Sequence, residues 1–317
     1  LRSASDLLAA VPYLIGFHPS DSLVLVGFGD RMVRFLARAD LPEPGDPEPV
    51  RQLAEIAGRQ AIEETALVGY GPPARVDAAI LDLCVALEEA QLPVREALRV
   101  TDDRYWSYLC QDPACCPADG TPFQVASSPI AASAVVAGCV ALPDRAALER
   151  QVEPIQGAER EAFAVATAHA DRRIRKALMS GDQASIRNRL VRGGERLLDR
   201  ALDSYPTGKR LADATAAWLS VLLLVDEFVS LAWQRVAAAT GSAHVALWGD
   251  LTRRAEPAYL PVVATLLGYA AWRTGDGALA GIAVQRALRI DPEYRPARVM
   301  DTLLTTGTPP DAVEVAR

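Results

Sequence analysis

Residues 65–101 read TALVGYGPPARVDAAILDLCVALEEAQLPVREALRVT and carry the clearest architectural signal in the chain. The segment opens with a short apolar run that Gly-Pro-Pro closes, and this pattern predicts a buried strand. Residues 75–90 then repeat apolar side chains at helical spacing, and residues 94–101 are predicted to form another strand. Strands that alternate with helices of about 15 residues indicate an α/β layer domain with a mainly open sheet.

The residues before this segment extend the same domain. The pattern predicts a short helix over 6–14 and apolar strands over 22–28 and 32–39. A Gly-Asp pair between the two strands is typical of a tight turn, so we expect a β-hairpin there. A proline-rich loop follows, and residues 50–64 are predicted to be helical.

The second half of the chain is almost entirely helical in pattern. We place the boundary near Pro143, which gives an α/β domain over 1–143 and an all-helical domain over 144–317. Residues 131–142, just before the boundary, fit either a strand or a helix. Gly, Pro or helix-capping residues separate the candidate helices, which are 144–152, 157–179, 183–204, 208–225, 227–240, 242–254, 258–273, 277–290 and 294–304.

One pair of these helices has the spacing of a known repeat unit. Within residues 261–294, small residues and a closing proline fall where a tetratricopeptide helix pair places them. Small residues at those positions let two antiparallel helices approach closely. A shift of about 34 residues recovers almost none of the matches, so we expect one tetratricopeptide-like hairpin and not an array.

The charge distribution restricts the class of partner. The net charge is −7, which argues against a dedicated nucleic-acid-binding protein, because phosphate contacts need a clustered cationic surface. Residues 171–210 depart from this average, with eleven Lys and Arg against five Asp and Glu. A solvated helical face accounts for this segment. The alternative is a patch for an anionic ligand or partner, with Arg172 and Arg173 as candidate contacts.

Hydropathy and cysteine usage favour one compartment. No apolar run reaches the roughly 20 residues that a membrane-spanning helix needs, and the first residues do not resemble a signal peptide. Five cysteines, an odd number, fit poorly with a secreted disulfide framework. We therefore expect a cytoplasmic protein without a membrane segment.

The thiols are concentrated in YWSYLCQDPACCP, residues 105–117, where prolines around the cysteine pair exclude a helix. Cys110, Cys115 and Cys116 are candidates for a zinc site, with His18 as a fourth ligand, although Cys-x4-Cys-Cys is not the usual paired Cys-x2-Cys spacing. Three other interpretations stay open. They are a disulfide from the first cysteine to one of the pair, reduced thiols packed as small hydrophobes, and a nucleophilic thiol.

Neighbouring side chains complete the set of binding candidates. Tyr105 and Trp106 lie beside the thiols, where rings stack on a ligand or close the edge of a core. Asp112 lies between the cysteines, and His18 stands before the first strand, where it braces the hairpin or contributes to a site. An enzymatic site requires His18, Asp112 and one cysteine to converge on a pocket. No catalytic residue is assigned, because dinucleotide, P-loop, nucleophile-elbow and His-Glu-x-x-His motifs are missing from the sequence.

Three signatures together resemble a known family. They are LLAAVPYLIGFHP at 7–19 followed by DSLV, YWSYLCQDPACCPADGTP at 105–122, and AWRTGDGALA at 271–280. They are similar to an actinobacterial family catalogued as domain of unknown function 4192, and the resemblance covers essentially the whole chain. It implies an actinobacterial intracellular protein, and it supplies no activity, cofactor or catalytic residue.

These observations favour three functions, in order. The first is a non-catalytic binding or scaffold protein that engages a protein partner or a second copy of itself, since helical surfaces present grooves for peptides and helices. The second is an α/β domain that binds a small anionic ligand, or an enzyme, with a Cys/His site. The third is a thiol-redox or zinc-responsive switch.

Overall fold

The computed structural model describes residues 3–30, 32–125, 128–179, 182–238 and 241–313. The chain divides into two compact units, Leu1–Leu148 and Glu149–Arg317. The last two residues of the predicted helix 227–240 lie outside the described residues.

The first unit is built on one six-stranded sheet, in the order β2-β1-β3-β4-β5-β6. Among the described strands, only β3 and β4 pair in parallel, because α3 (Pro73–Glu89) crosses back over the sheet between them. The other neighbours are antiparallel, so the fold class is α+β with a mixed sheet. The strands are β1 (Ser22–Gly29), β2 (Met32–Asp40), β3 (Glu64–Tyr70), β4 (Val94–Thr101), β5 (Arg104–Ser107) and β6 (Thr121–Pro122).

Helices cover both faces of this sheet. α2 (Glu48–Gly58) and α3 pack on one face over a core of fully buried apolar side chains. α1 (Ala4–Ile15) lies against the other face, where Leu7 lines a small cavity with Phe28 and Ala66. β1 is buried along its whole length, as expected for a central strand between two helical layers.

The predicted hairpin is confirmed, because β1 and β2 pair as antiparallel neighbours. The helix predicted over 50–64 is shorter and shifted, since α2 begins at Glu48 and ends at Gly58. The reason is tertiary. Ile62 leaves the helical path to pack against Gly27 of β1, where a Cβ would come within 2.8 Å of its side chain.

The ambiguous segment 131–142 resolves as a helix followed by an extended connection. α4 (Pro129–Val136) is preceded by Ser128, whose hydroxyl accepts a hydrogen bond from the backbone N–H of Ile130. Ser128 is thus a normal N-cap, and Pro129 occupies the first helical position that tolerates proline.

The described part of the second unit is all helical. One prediction is wrong there: the helix expected over 208–225 begins only at Asp213. Gly208 ends a 3₁₀ turn with a φ of 78°, a left-handed conformation that stops a helix. The helices are α5 (Arg145–Arg150), which spans the boundary, α6 (Gly157–Leu178), α7 (Gln183–Ser204), α8 (Asp213–Leu222), α9 (Asp226–Ala238), α10 (Ala243–Arg254), α11 (Leu260–Arg273), α12 (Gly277–Ile290) and α13 (Arg295–Thr305).

α11 and α12 approach each other closely. A Cβ on Gly268 would lie 2.7 Å from the Val284 side chain and 3.2 Å from the Ala280 carbonyl oxygen, so only glycine fits there. α11 is buried over almost its whole length. Within the described ranges, no single helix is both long and apolar enough to cross a membrane, and α8 and α9 reach that length and composition only as a pair bent by 104°.

Candidate functional site

The three clustered cysteines lie on the connection between β5 and β6, residues 108–120, which we call the cysteine turn. Hydrogen bonds donated by backbone N–H groups hold the shape of this turn. The Ser107 hydroxyl accepts a hydrogen bond from the N–H of Cys110 at 3.2 Å. The Asp112 carbonyl accepts from the N–H groups of Cys115 and Cys116 at 3.1 and 2.7 Å. The Asp112 carboxylate adds a bond from the N–H of Ala114 at 2.9 Å, as in an Asx-turn.

This folding brings the three thiols together. The Sγ atoms of Cys110, Cys115 and Cys116 all lie within 4.8 Å of one another. Cys115 is exposed and the other two are half-buried, so the group faces solvent and is not packed inside a core. All five cysteines of the chain are free thiols in this structure. In the described part of the chain, no fourth His, Cys, Asp or Glu donor joins the group.

The pKa values of two of these thiols are shifted in opposite directions. The hydrogen bond between Cys116 and Cys110 lowers the pKa of Cys110, and a backbone hydrogen bond at Asp112 lowers it further. The same bond raises the pKa of Cys116 to about 12. The thiolate form therefore develops first on Cys110, with Cys116 as the proton donor to it. Thiolate is the form that binds metals and attacks disulfides.

Trp106 fixes the base of the cysteine turn. Its indole N–H donates to the Ala118 carbonyl oxygen at 3.1 Å, and the guanidinium of Arg99 stacks over its ring at 4.3 Å. Gly120 adopts a φ of 82°, and a Cβ there would lie 2.6 Å from the Trp106 ring. The ring is thus held between an arginine and the returning chain.

The neighbouring aromatic residues are also anchored. Tyr105 is buried and meets Phe123 edge to face at 6.0 Å. Tyr108 donates a hydrogen bond to the Asp77 carboxylate of α3, which also pairs with Arg99 at 3.0 Å. Burial, followed by this hydrogen bond, raises the pKa of the Tyr108 hydroxyl above its usual range. These contacts fasten the turn to the sheet and to α3.

His18 does not join the cysteines. It is exposed at the entrance to β1, where its backbone N–H donates to the Leu142 carbonyl oxygen at 2.9 Å. β3 and β4 lie between β1 and β5, and three strand spacings correspond to roughly 14 Å. The expected zinc set of three thiolates and His18 is therefore not formed, and Asp112 serves the turn backbone.

The two arginine candidates lie on α6 in the second unit. Arg172 contacts the His169 ring nitrogen Nδ1 at 3.1 Å, and Arg173 stacks over the Trp218 ring at 4.1 Å. Both side chains are exposed, and their contacts are those of a helical surface.

A second polar cluster, which we call the Asp250 cluster, lies within the helical unit, and no sequence pattern indicated it. The Asp250 carboxylate accepts hydrogen bonds from Tyr205, Arg254 and Arg210, the last at 2.8 Å. The Arg254 side chain is only 2 % exposed and also pairs with Asp213 at 3.1 Å. Burial, followed by the Asp250 hydrogen bond, raises the pKa of Tyr205 above its usual range. The i,i+4 spacing of Asp250 and Arg254 is visible in the sequence, and their burial is not.

Comparison with known proteins gives one match. A family model described as Domain of unknown function (DUF4192) matches residues 5–311, nearly the whole chain, which confirms the resemblance seen in the three signatures. No curated protein and no solved structure matches the chain.

Proposed function

We propose that this chain, which belongs to the family described as Domain of unknown function (DUF4192), is a non-catalytic binding protein whose cysteine turn holds a thiophilic metal ion, with zinc as the first candidate. One observation carries the proposal: three Sγ atoms lie within 4.8 Å of one another. Two sulfurs bound to one zinc ion at about 2.3 Å are roughly 3.8 Å apart in a tetrahedron. The thiols need to close by no more than about 1 Å to share an ion.

The proton distribution supports the same interpretation. The hydrogen bond between these two thiols lowers the pKa of Cys110 and raises the pKa of Cys116, so the two sulfurs share a proton. A divalent cation replaces such shared protons and releases them to solvent. Three protein ligands leave the fourth position for water or for a donor from a partner, which is the open arrangement of a responsive or exchangeable site.

The experiment is elemental analysis of the purified protein before and after zinc reconstitution. We expect one zinc per wild-type chain and none in a variant with Cys110, Cys115 and Cys116 all changed to Ser. Cys139→Ser is the matched control, because this exposed thiol lies in the same unit outside the cysteine turn, and it should keep its zinc. Zinc-free wild-type protein after reconstitution, with five reactive thiols, rejects the metal site.

The same sulfurs support a redox switch as the second candidate, because their proximity lets Cys110 form a disulfide with Cys115 or Cys116 after oxidation. Thiol counting with and without reductant distinguishes the two. Loss of two thiols on mild oxidation, with no zinc bound, favours the switch. The alternative of an enzymatic Cys/His site loses support, since His18 lies away from the cysteines.

Binding to a protein partner, or to a second copy of the chain, is supported by an exposed apolar segment over residues 129–140. Val135 is 58 %, Val136 90 % and Val140 67 % exposed. Only Ala131 of α4 is buried. Contiguous exposed apolar surface of this kind marks interaction sites in soluble proteins.

Val136→Asp tests this partner surface. Tagged wild-type protein should recover a stoichiometric partner from a native extract, or sediment as a homo-oligomer, and Val136→Asp should lose either behaviour. Val165→Asp on α6 is the control, because Val165 is similarly exposed at 59 % in the other unit. Equal recovery and equal sedimentation of both variants contradicts the assignment.

Two further features complete the proposal. The spacing over 261–294 and the close approach at Gly268 support a tetratricopeptide-like hairpin formed by α11 and α12. We also place the protein in the cytoplasm of an actinobacterium, since the family resemblance points there and a reducing compartment keeps the clustered thiols available.

A further inference from the structure

The number and kind of donors in the cysteine turn restrict the ion that it can bind. Cys110, Cys115 and Cys116 supply three sulfurs within 4.8 Å of one another, and within the described ranges no imidazole or carboxylate belongs to this group. Zinc sites in proteins are tetrahedral, so zinc must take its fourth ligand here from water or from another molecule. The donor set is complete only for a soft ion that is stable with three ligands.

The oxygen groups nearest to the thiols in the chain already hold the shape of the turn. The Asp112 carboxylate accepts a hydrogen bond from the N–H of Ala114 at 2.9 Å. The Ser107 hydroxyl accepts from the N–H of Cys110 at 3.2 Å and donates to the Glu96 carboxylate at 2.9 Å. Moving either oxygen group onto an ion would disturb these hydrogen bonds, so the three sulfurs are the ligands that the turn offers.

The separations of the sulfurs and their exposure fit a planar complex of three thiolates. At a metal–sulfur distance of about 2.3 Å, three sulfurs in one plane with the ion are roughly 4.0 Å apart, compared with roughly 3.8 Å in a tetrahedron. The limit of 4.8 Å exceeds both values, so the thiols need to close least for the planar triangle. Cys115 is exposed, and solvent there compensates the negative charge of three thiolates on a monovalent ion, which a buried site would not tolerate.

We propose that the cysteine turn binds cuprous copper, Cu(I), through its three sulfurs in a three-coordinate complex, and that Cu(I) displaces zinc from it. This inference rests on the proposed metal site, because it names the ion that the same thiols prefer. In the binding step each S–H bond gives way to a copper–sulfur bond, the protons pass to solvent or to the donor that releases copper, and no electron is transferred. Cys115, as the exposed thiol, is the sulfur that an incoming copper donor meets first.

The first experiment titrates zinc-loaded wild-type protein, without oxygen, with Cu(I) supplied as its bicinchoninate complex. We expect one copper bound and one zinc released per chain, even with free zinc in about tenfold excess, because thiolates prefer the softer ion. X-ray absorption at the copper edge should show three sulfur neighbours and no oxygen or nitrogen. The zinc edge of the zinc-loaded protein should show the same three sulfurs and one lighter atom, since zinc completes a tetrahedron.

The outcomes separate this inference from the metal site on which it rests. Zinc that stays on the protein while copper stays with bicinchoninate overturns the preference for Cu(I) and leaves the zinc site intact. Protein that binds neither ion rejects the preference and the metal site together. A copper spectrum with two sulfur neighbours, or with an added oxygen or nitrogen, overturns the three-coordinate complex.

Three single variants locate the ion, and they are Cys110→Ser, Cys115→Ser and Cys116→Ser. Each should weaken Cu(I) binding at least about tenfold, since the loss of even an outer-shell partner of a metal ligand costs that much. Cys139→Ser is the control, because it removes an exposed thiol of the same unit outside the turn, and it should bind copper as the wild type does. Wild-type affinity in any of the three variants, or a loss in Cys139→Ser, overturns the assignment.

Discussion

The cysteine turn and the Asp250 cluster of the helical unit are both polar, and they are built in opposite ways. The turn is folded by bonds between near neighbours, such as Cys110 to Ser107 and Cys116 to Asp112. The Asp250 cluster is held mainly by bonds between residues 40 to 45 positions apart, such as Arg254 with Asp213 and Tyr205 with Asp250. A local site can change its chemical state without unfolding its unit, whereas a site built from distant residues is part of the stability of its unit.

Asp250→Ala is the strongest test of this difference. It leaves Arg254 buried with one partner fewer, and we expect a loss of about 3–5 kcal/mol in the unfolding free energy of the helical unit. Urea denaturation followed by circular dichroism measures it. Glu227→Ala, which removes an exposed pair with Arg187, should cost no more than about 1 kcal/mol. Similar losses in both variants would refute a structural role for the Asp250 network.

A second test uses pH on the helical unit. His244 is buried, its Nδ1 accepts a hydrogen bond from the Trp248 indole at 3.2 Å, and burial followed by the charge of Arg235 lowers its pKa to about 4. The unfolded chain binds the proton near pH 6.5, so between pH 6.5 and 4 the unfolded state carries more protons. Stability is complete above pH 6.5 and falls by about 3 kcal/mol on acidification to pH 4.

Denaturation midpoints measured across that pH range check the prediction. His244→Phe should flatten the fall, because it removes the group that takes up the proton. His169→Gln, at a histidine on α6, should leave the wild-type slope. A wild-type slope in His244→Phe assigns the effect to other groups.

The third test is confined to the cysteine turn. Gly120→Ala places a Cβ against the Trp106 ring and also strains a left-handed backbone, for a total cost of roughly 2–3 kcal/mol. Gly138→Ala has a φ of 85° and no atom within 4 Å of the new Cβ, so only the backbone cost of about 1 kcal/mol remains. Fluorotryptophan NMR should show the Trp106 resonance shift in the first variant alone. Equal effects would mean that Trp106 does not clamp the turn.

The elements that were predictable are those with short-range causes. The pattern of residues 65–101 predicted the β3-α3-β4 unit, and the Gly-Asp pair predicted the β1–β2 hairpin. Cys110 and the cysteine pair are only five residues apart. The prolines in this segment exclude a helix, so the chain turns and brings the thiols close together.

The features that the sequence did not predict depend on contacts between residues far apart in the chain. β6 contains two residues, too few for any alternation to be visible, and it exists because Thr121 pairs with Tyr105. The end of α2 is set by the contact of Ile62 with Gly27, and the Asp250 cluster depends on Tyr205, which lies 45 positions from Asp250 in the chain. Periodicity describes which side of an element is apolar, and it does not describe what will cover that side.

The sheet of the first unit ends at β6, and that ending has a consequence for polymerisation. An open strand edge recruits strands from other molecules and starts aggregation. β6 offers only two residues, and Pro122 has no N–H to donate. The opposite edge, β2, is nine residues long and carries Arg34 and Arg38, which pair with Asp30 and Asp40, and charged side chains on an edge strand discourage the addition of a strand from another molecule. In a concentrated solution, β2 is therefore the edge strand at which fibril formation would begin if those charges were lost.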